Sequence, residues 1–264
     1  MPEKKNRFFR EFETLGYSVV AAEDKSALEQ VRNEIFKEAK QLLEVESEEV
    51  ESFFNEFHKR KLKPTALNDF RVNLIRKLNQ RVDVGLLISQ AIGPKLFELL
   101  GPDIAVQNST NIVIHQPGDT DIPPIHRDSP PNSPFEVVVW VPLVHCHGTK
   151  GISIMNIEDN ALGTSILLGD NDKNGSELRE YSMKHGERVD MGFGEVLIFW
   201  APLIHDIPVN KENETRWSLN LRYKNLFSPY GTVGFPDYFR ILRTSSLSRL
   251  ALDFEKSRFK DAPK

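Results

Sequence analysis

Cysteine is nearly absent from this chain. Cys146 stands alone among 264 residues, so no disulfide can close within the molecule, and the usage fits a reducing compartment. Long apolar runs are missing too. The most apolar stretch, Val196 to Ile204, is nine residues long and is broken by Pro202, far short of the roughly 20 that a membrane-spanning helix needs. There is no basic excess: 34 Lys and Arg stand against 38 Asp and Glu, a net charge of −4. That balance offers no footprint for nucleic acid or an anionic membrane. The opening MPEKKNRFFREFETLG lacks the apolar core of a secretory signal, and a cytoplasmic location is the expectation. What is present is ordinary: 39% hydrophobic and 27% charged residues, a balance that excludes disordered and collagen-like chains. The length allows one large domain with a sizeable core.

Hydrophobic periodicity divides the chain into a helical front over residues 1–101, a β-rich centre over 102–226 and a helical tail over 227–264, taken as one domain. Leu28, Val31, Ile35, Phe36, Ala39, Leu42 and Leu43 form a helical stripe. Ser47 is placed to cap a second helix bearing Val50, Phe53, Phe54 and Phe57. A third stripe follows Pro64 and a fourth reaches Leu100, interrupted at Gly93-Pro94. After Pro102 the period changes to two. Strands are expected near 104–115, 123–128, 135–143, 151–157, 164–168, 187–190, 194–200 and 214–223. So many short strands at this spacing predict a mainly β fold with helical cover, a jelly roll or barrel rather than βαβ units. The polar stretch Gly169 to Gly186 reads as a long loop between strands. Leu247, Leu250, Ala251 and Phe254 mark a last helix.

Chemistry concentrates in the β region. In His126-Arg127-Asp128 the first and third side chains share a face of an extended segment and can converge on one ion. His205, just after the strand Glu195–Trp200, is the third candidate. Two imidazoles and one carboxylate on one face of an ion form the facial triad typical of non-haem Fe(II) oxygenases. In Thr215 to Tyr223 the polar residues Arg216, Ser218, Asn220 and Arg222 alternate with Trp217, Leu219 and Leu221. A planar guanidinium with a neighbouring hydroxyl suits a bidentate carboxylate contact plus a third hydrogen bond.

H-x-D, a distal His 77 positions later, then R-x-S with its Arg 11 positions beyond resembles the Fe(II)/2-oxoglutarate-dependent dioxygenases, within them the phytanoyl-CoA-dioxygenase-like branch. His126-Arg127-Asp128-Ser129, the run Asn132 to Leu143, and Thr149-Lys150 are most similar to the 2-oxoglutarate–Fe(II) oxygenases of sporadic carbohydrate gene clusters. The motifs span about residues 105–225; the helical front carries none of the resemblance. It implies a double-stranded β-helix (a cupin-like jelly roll) in which His126, Asp128 and His205 bind Fe(II). Arg216, with Ser218, would then hold the distal carboxylate of 2-oxoglutarate. With O2 the co-substrate leaves as succinate and carbon dioxide, and a substrate C–H bond is hydroxylated. The sub-family implies a sugar, nucleotide-sugar or lipid-linked saccharide of surface carbohydrate biosynthesis as the substrate. Related enzymes line the pocket with the first strand, so Gln107 and Asn111 are expected either to reach the C1 end of 2-oxoglutarate or the substrate, or to be polar residues of a solvated edge strand, and His115 is a candidate substrate contact only. Arg222 lies about 20 Å from Arg216 along an extended strand at roughly 3.3 Å per residue, and is expected to stay clear of the co-substrate.

Other residue clusters imitate sites. His145-Cys146-His147 has metal-binding residue types but no second pair nearby. Asp170 to Gly175 resembles the start of an EF-hand, yet its twelfth position is Tyr181 where a bidentate Glu is required. His58 and His185 read as surface residues, and Trp140 as a core aromatic. Two other functions are consistent with the sequence: a phytanoyl-CoA-dioxygenase-like hydroxylase of another small metabolite, and a jelly-roll protein that binds metal or carbohydrate without turnover. The R-x-S pair disfavours the last, since a binding module has no use for a 2-oxoglutarate anchor.

Overall fold

The computed structural model describes residues 7–45, 49–128, 132–169 and 175–260. It begins with α1 (Arg7–Leu15) and β1 (Tyr17–Ala21), then α2 (Lys25–Leu43), α3 (Val50–Asn55), α4 (Pro64–Arg81) and α5 (Val84–Leu100). Strands β2 (Ile104–Gln107), β3 (Asn111–His115), β4 (Glu136–Pro142) and β5 (Ile152–Ile154) follow. Next come α6 (Ile157–Leu168), α7 (Ser176–His185), β6 (Glu187–Val189), β7 (Glu195–Trp200) and β8 (His205–Asp206). The last elements are β9 (Arg216–Asn225), β10 (Phe239–Arg243) and α8 (Ser246–Lys260).

Among the described residues the strands form two antiparallel sheets, as a jelly roll requires. The larger runs β1-β7-β4-β9-β2-β10, with β3 also paired to β9; the smaller runs β6-β5-β8. Strand β9 is the spine of the larger sheet. β4 pairs along one of its edges from Ser218 to Lys224, while β2 and β3 take the other edge in succession. One face of β9 presents Trp217, Leu219, Leu221 and Tyr223, all buried. Trp217 packs edge-on against Phe54 and Phe57, with ring centroids 5.0 and 4.9 Å away. The Tyr223 hydroxyl donates to Gly85 O at the start of α5 (2.8 Å). The helices of the front therefore cover the outer face of the sheet, and the polar face of β9 looks inward toward the smaller sheet.

Several expected elements are revised. The strand expected over 104–115 is two. Gln107 Nε2 donates to Ser109 O (2.8 Å) and the Asn108 amide to Pro236 O and Asp237 O (2.8 and 2.9 Å), which turns the chain at 108–110. Residues 123–128 form no strand beyond one bridge between His126 and His205, because Pro123 and Pro124 have no N–H to donate. Residues 164–168 close α6 instead of forming a strand. Asn156 caps that helix by accepting from Asp159 N (2.9 Å), and Glu158 and Asp159 occupy its first turn. The stretch expected as a loop before Gly186 holds α7, while the EF-hand-like residues 170–174 lie outside the described residues, as do Ser47 and Ser129. The interruption expected at Gly93-Pro94 is present as a kink at Ile92, beyond which α5 continues to Leu100. The front also contains β1, which pairs with β7, and the tail contains β10, which pairs with β2. No helix among the described residues is long and apolar enough to cross a membrane.

The cluster around Trp217 yields a stability prediction. Phe54 is fully buried and touches both Phe53 and Trp217. Phe54→Ala should cost about 3–5 kcal/mol, which at about 2–4 °C per kcal/mol lowers the melting temperature by roughly 6–20 °C. Thermal denaturation by circular dichroism measures it, and a shift under 2 °C would show the cluster to be slack.

Candidate metal centre and anion pocket

His126, Asp128 and His205 meet at the inner end of the smaller sheet, with one donor atom from each lying within 4.8 Å of the others. Reciprocal backbone bonds draw the two histidines together, His126 N to His205 O at 3.2 Å and His205 N to His126 O at 2.9 Å. Asp128 N donates to Ala201 O at 3.0 Å and anchors the segment again. Both imidazoles are oriented the same way. Nδ1 of His126 donates to Pro124 O (2.8 Å) and Nδ1 of His205 to Leu203 O (3.0 Å). A carbonyl can only accept, so Nδ1 carries the proton and Nε2 keeps its lone pair for a metal. Burial pushes the His205 pKa down to about 4 against the pull of Asp128, so this ring is neutral at physiological pH.

The carboxylate is oriented from across the interior. Arg222 Nη2 donates to Asp128 Oδ2 at 2.6 Å, while Oδ1 faces His126 Nε2 at 3.8 Å. Arg222 is itself held: its Nη1 donates to Gln107 Oε1 (3.2 Å) and Asn220 Oδ1 (3.3 Å). One carboxylate oxygen is thus committed to arginine and the other is directed at the imidazoles. Two imidazoles that both present Nε2 and one directed carboxylate oxygen fit a divalent ion with open positions.

Farther down the same face of β9, Arg216 and Ser218 are both fully buried. Arg216 Nη1 donates to Gly151 O (3.1 Å). Its Nε and Nη2, and the Ser218 hydroxyl, have no hydrogen-bond partner. Burial lowers the Arg216 pKa to about 10, which still leaves the guanidinium charged at neutral pH. A buried cation with two unpaired nitrogens beside an unpaired hydroxyl is a site shaped for an anion.

The structure brings together His126, Asp128 and His205, and separately Arg216 and Ser218. Gln107 does face inward, yet both ends of its amide are engaged, by Arg222 and by Ser109 O. Its link to the His-Asp-His cluster runs through Arg222. Asn111 shares the inward face on the sheet edge, opposite Asn220, where Arg71 Nη1 donates to its Oδ1 at 3.4 Å. Arg222 is the residue that sequence reasoning missed. Its distance along the strand from Arg216 keeps it clear of the anion pocket, but that same distance carries it onto the metal carboxylate. The signal was available: all the polar positions of an alternating strand share one face, so Arg222 had to enter the same interior.

The His145 and His147 rings lie 5.0 Å apart and tilted by 41°, but among the described residues only the His126 triad groups three donors. His58 and His185 are tied down more firmly than surface residues. His58 Nδ1 lies 3.0 Å from Thr215 Oγ1, and His185 pairs with Asp159 at 2.9 Å. Trp140 lies opposite Asn220 and Leu197, on the inner face of the sheet.

No protein-family model matches the chain, and no protein of curated function does. Solved structures do match. A nickel complex of the non-heme monooxygenase ThoJ is 18% identical, with 94% of each chain covered and a TM-score of 0.54. The non-heme alpha ketoglutarate dependent epimerase SnoN from nogalamycin biosynthesis is 16% identical over 90% of this chain and 98% of its own, TM-score 0.53. SnoK, a carbocyclase from the same biosynthesis, is 15% identical over 94% and 91%, TM-score 0.53. The fold is the jelly roll of the non-heme oxygenases.

The Arg222–Asp128 contact gives a test that needs no substrate. Partners of metal ligands typically contribute 10–100-fold to metal affinity or activity, so Arg222→Ala should weaken Mn(II) binding by about that factor. Arg222→Lys keeps the charge without the planar fork and should fall between. Calorimetric titration of Mn(II) into each variant reads this directly; wild-type affinity in Arg222→Ala would show that the carboxylate needs no such support.

Proposed function

We propose that this chain is an Fe(II)- and 2-oxoglutarate-dependent oxygenase that hydroxylates a small molecule, with a sugar or a nucleotide- or lipid-linked saccharide as its substrate class. The observation that carries the reading is the buried Arg216 guanidinium, with Nε and Nη2 unpaired beside the unpaired Ser218 hydroxyl, in the interior that also holds the His-Asp-His cluster. A metal centre alone needs no such cation. A dicarboxylate that chelates the metal at one end needs one at the other.

His126, Asp128 and His205 would hold Fe(II) on one face and leave the remaining positions open. Arg216 and Ser218 would hold the distal carboxylate of 2-oxoglutarate, the guanidinium through paired N–H groups and the hydroxyl through a single donor. When bound, iron and 2-oxoglutarate use O2 to convert a substrate C–H to C–OH, releasing succinate and carbon dioxide. Val138, Trp140, Leu197 and Phe199 share the inward face of the sheet and limit the water that reaches the reacting groups.

The resemblance to the phytanoyl-CoA-dioxygenase-like branch, and within it to oxygenases of carbohydrate clusters, motivates the substrate class. ThoJ, SnoN and SnoK are named as a monooxygenase, an epimerase and a carbocyclase. Where a substrate is seated can therefore decide the outcome on a shared scaffold.

Succinate release tests the reading. Protein supplied with Fe(II), 2-oxoglutarate and O2 should form succinate slowly alone and faster with a matching sugar or sugar conjugate, and Arg216→Ala should abolish both at ordinary 2-oxoglutarate concentrations. If no succinate forms under any of these conditions while metal and dicarboxylate still bind, the chain is a binding protein and not an oxygenase.

A further inference from the structure

We propose that His115 is a third donor to the anion held by Arg216 and Ser218, so that the pocket clamps a carboxylate from two adjacent strands. The inference deepens the reading of that pocket as the seat of the 2-oxoglutarate distal carboxylate, and rests on it.

The register of β3 on β9 sets His115 directly opposite Arg216, and Val113 opposite Ser218. Residues directly opposed across an antiparallel pair project on the same side of the sheet, with Cβ atoms about 4.5–5.5 Å apart. The imidazole therefore stands beside the guanidinium, on the inward face. It is 3% exposed, and neither ring nitrogen has a hydrogen-bond partner. The main chain of Asp119 approaches the ring without completing a bond. A buried imidazole with both nitrogens unpaired is as anomalous as a buried guanidinium with two, and the two anomalies are neighbours.

Burial, and next the charge of Arg216, lower the His115 pKa to about 4. The ring is neutral beside the arginine, so the pair does not repel, and it keeps one N–H to donate. Its position is fixed from behind. Asn210, itself fully buried, donates through Nδ2 to His115 O (3.3 Å) and to Glu214 O (2.8 Å), which ties the end of β3 to the residues leading into β9. Arg216, Ser218 and His115 then converge on one volume from two strands whose spacing the sheet holds constant. A single oxyanion group satisfies all the unpaired donors together. Water could satisfy them one by one but would leave the arginine charge uncompensated.

The test uses the whole protein loaded with Mn(II), which binds such a centre without turnover, and measures ligand affinity by calorimetry. Two probes are compared: 2-oxoglutarate, and 2-oxobutyrate, which has the same chelating end but no distal carboxylate. A hydrogen bond to a charged group corresponds to roughly 10–100-fold in affinity. His115→Phe should weaken 2-oxoglutarate by that factor while leaving 2-oxobutyrate and Mn(II) affinity unchanged. His115→Gln, which keeps a donor, should recover a large part of the loss. Circular dichroism checks that the variants are folded; if the Phe variant is not, the Gln variant and His115→Asn carry the comparison. Two results overturn the proposal: His115→Phe binding 2-oxoglutarate as wild type does, or losing both probes equally, as a collapsed pocket would. If His115→Phe is silent while Arg216→Ala loses 2-oxoglutarate by 100-fold or more, only the role of His115 falls. If Arg216→Ala is silent too, the 2-oxoglutarate reading falls with it.

Discussion

Everything in this molecule hangs on the alternation of strand β9. Its odd-numbered residues Trp217, Leu219, Leu221 and Tyr223 are buried under the helices of the front, and its even-numbered residues Arg216, Ser218, Asn220 and Arg222 build the interior. The side-chain period of a strand is two, so a slip of one residue would exchange the sets and drive two arginines among phenylalanines. The apolar cluster around Trp217 is therefore also what fixes the register of the polar face. Core packing and site geometry are one constraint seen from opposite sides of a sheet.

The cations on that inward face are not equivalent. Arg222 is 14% exposed and ion-paired with Asp128. Lys224 is buried, donates to Pro229 O at 2.7 Å and lies over the Tyr230 ring at 3.5 Å. Its register partner Glu136 takes hydrogen bonds from Asn132 and the Ser133 amide. Among the described residues, Arg216 alone of these three meets no carboxylate and no aromatic face, only one main-chain carbonyl. Uncompensated buried charge is costly unless a partner arrives. The contrast within one strand argues for an exogenous anion more strongly than the presence of an arginine does, because its neighbours show how this interior treats a cation that is merely structural.

The sequence made the site more legible than the frame around it. H-x-D, the distal histidine and R-x-S are short patterns of charged residues, and an extended chain converts their spacing directly into a shared face. Arg222 is harder to place, because its meeting with Asp128 depends on how the loop carrying His126 and Asp128 folds over the sheet, which spacing along β9 does not show. The first and last strands were harder. Tyr17–Ala21 is too short for its period to stand out between two helices, and β10 sits in a segment dominated by turns. At 164–168 an apolar run has the length and character of a strand, although the cap at Asn156 and the acids after it announce a helix. Short apolar runs are ambiguous in period, and there the capping residues were the better guide.

The two kinds of metal-directed side chain are aimed by different means. Each imidazole is set locally, by its own Nδ1 donating to the carbonyl two residues earlier, Pro124 O for His126 and Leu203 O for His205. Neither orientation depends on the large sheet. The carboxylate is set at long range, through Arg222. Arg222 and Arg216 lie on one strand, so the sheet fixes the separation between the oriented carboxylate and the anion pocket, and the helices packed behind β9 keep it from varying. A ligand that chelates beside Asp128 and ends at Arg216 must match that separation. On the proposed reading β9 would measure the ligand, since a shorter acid would leave the guanidinium unpaired and a longer one would be displaced from the centre. Selection by length would then follow from holding the partner of Asp128 and the anion pocket on a single rigid element.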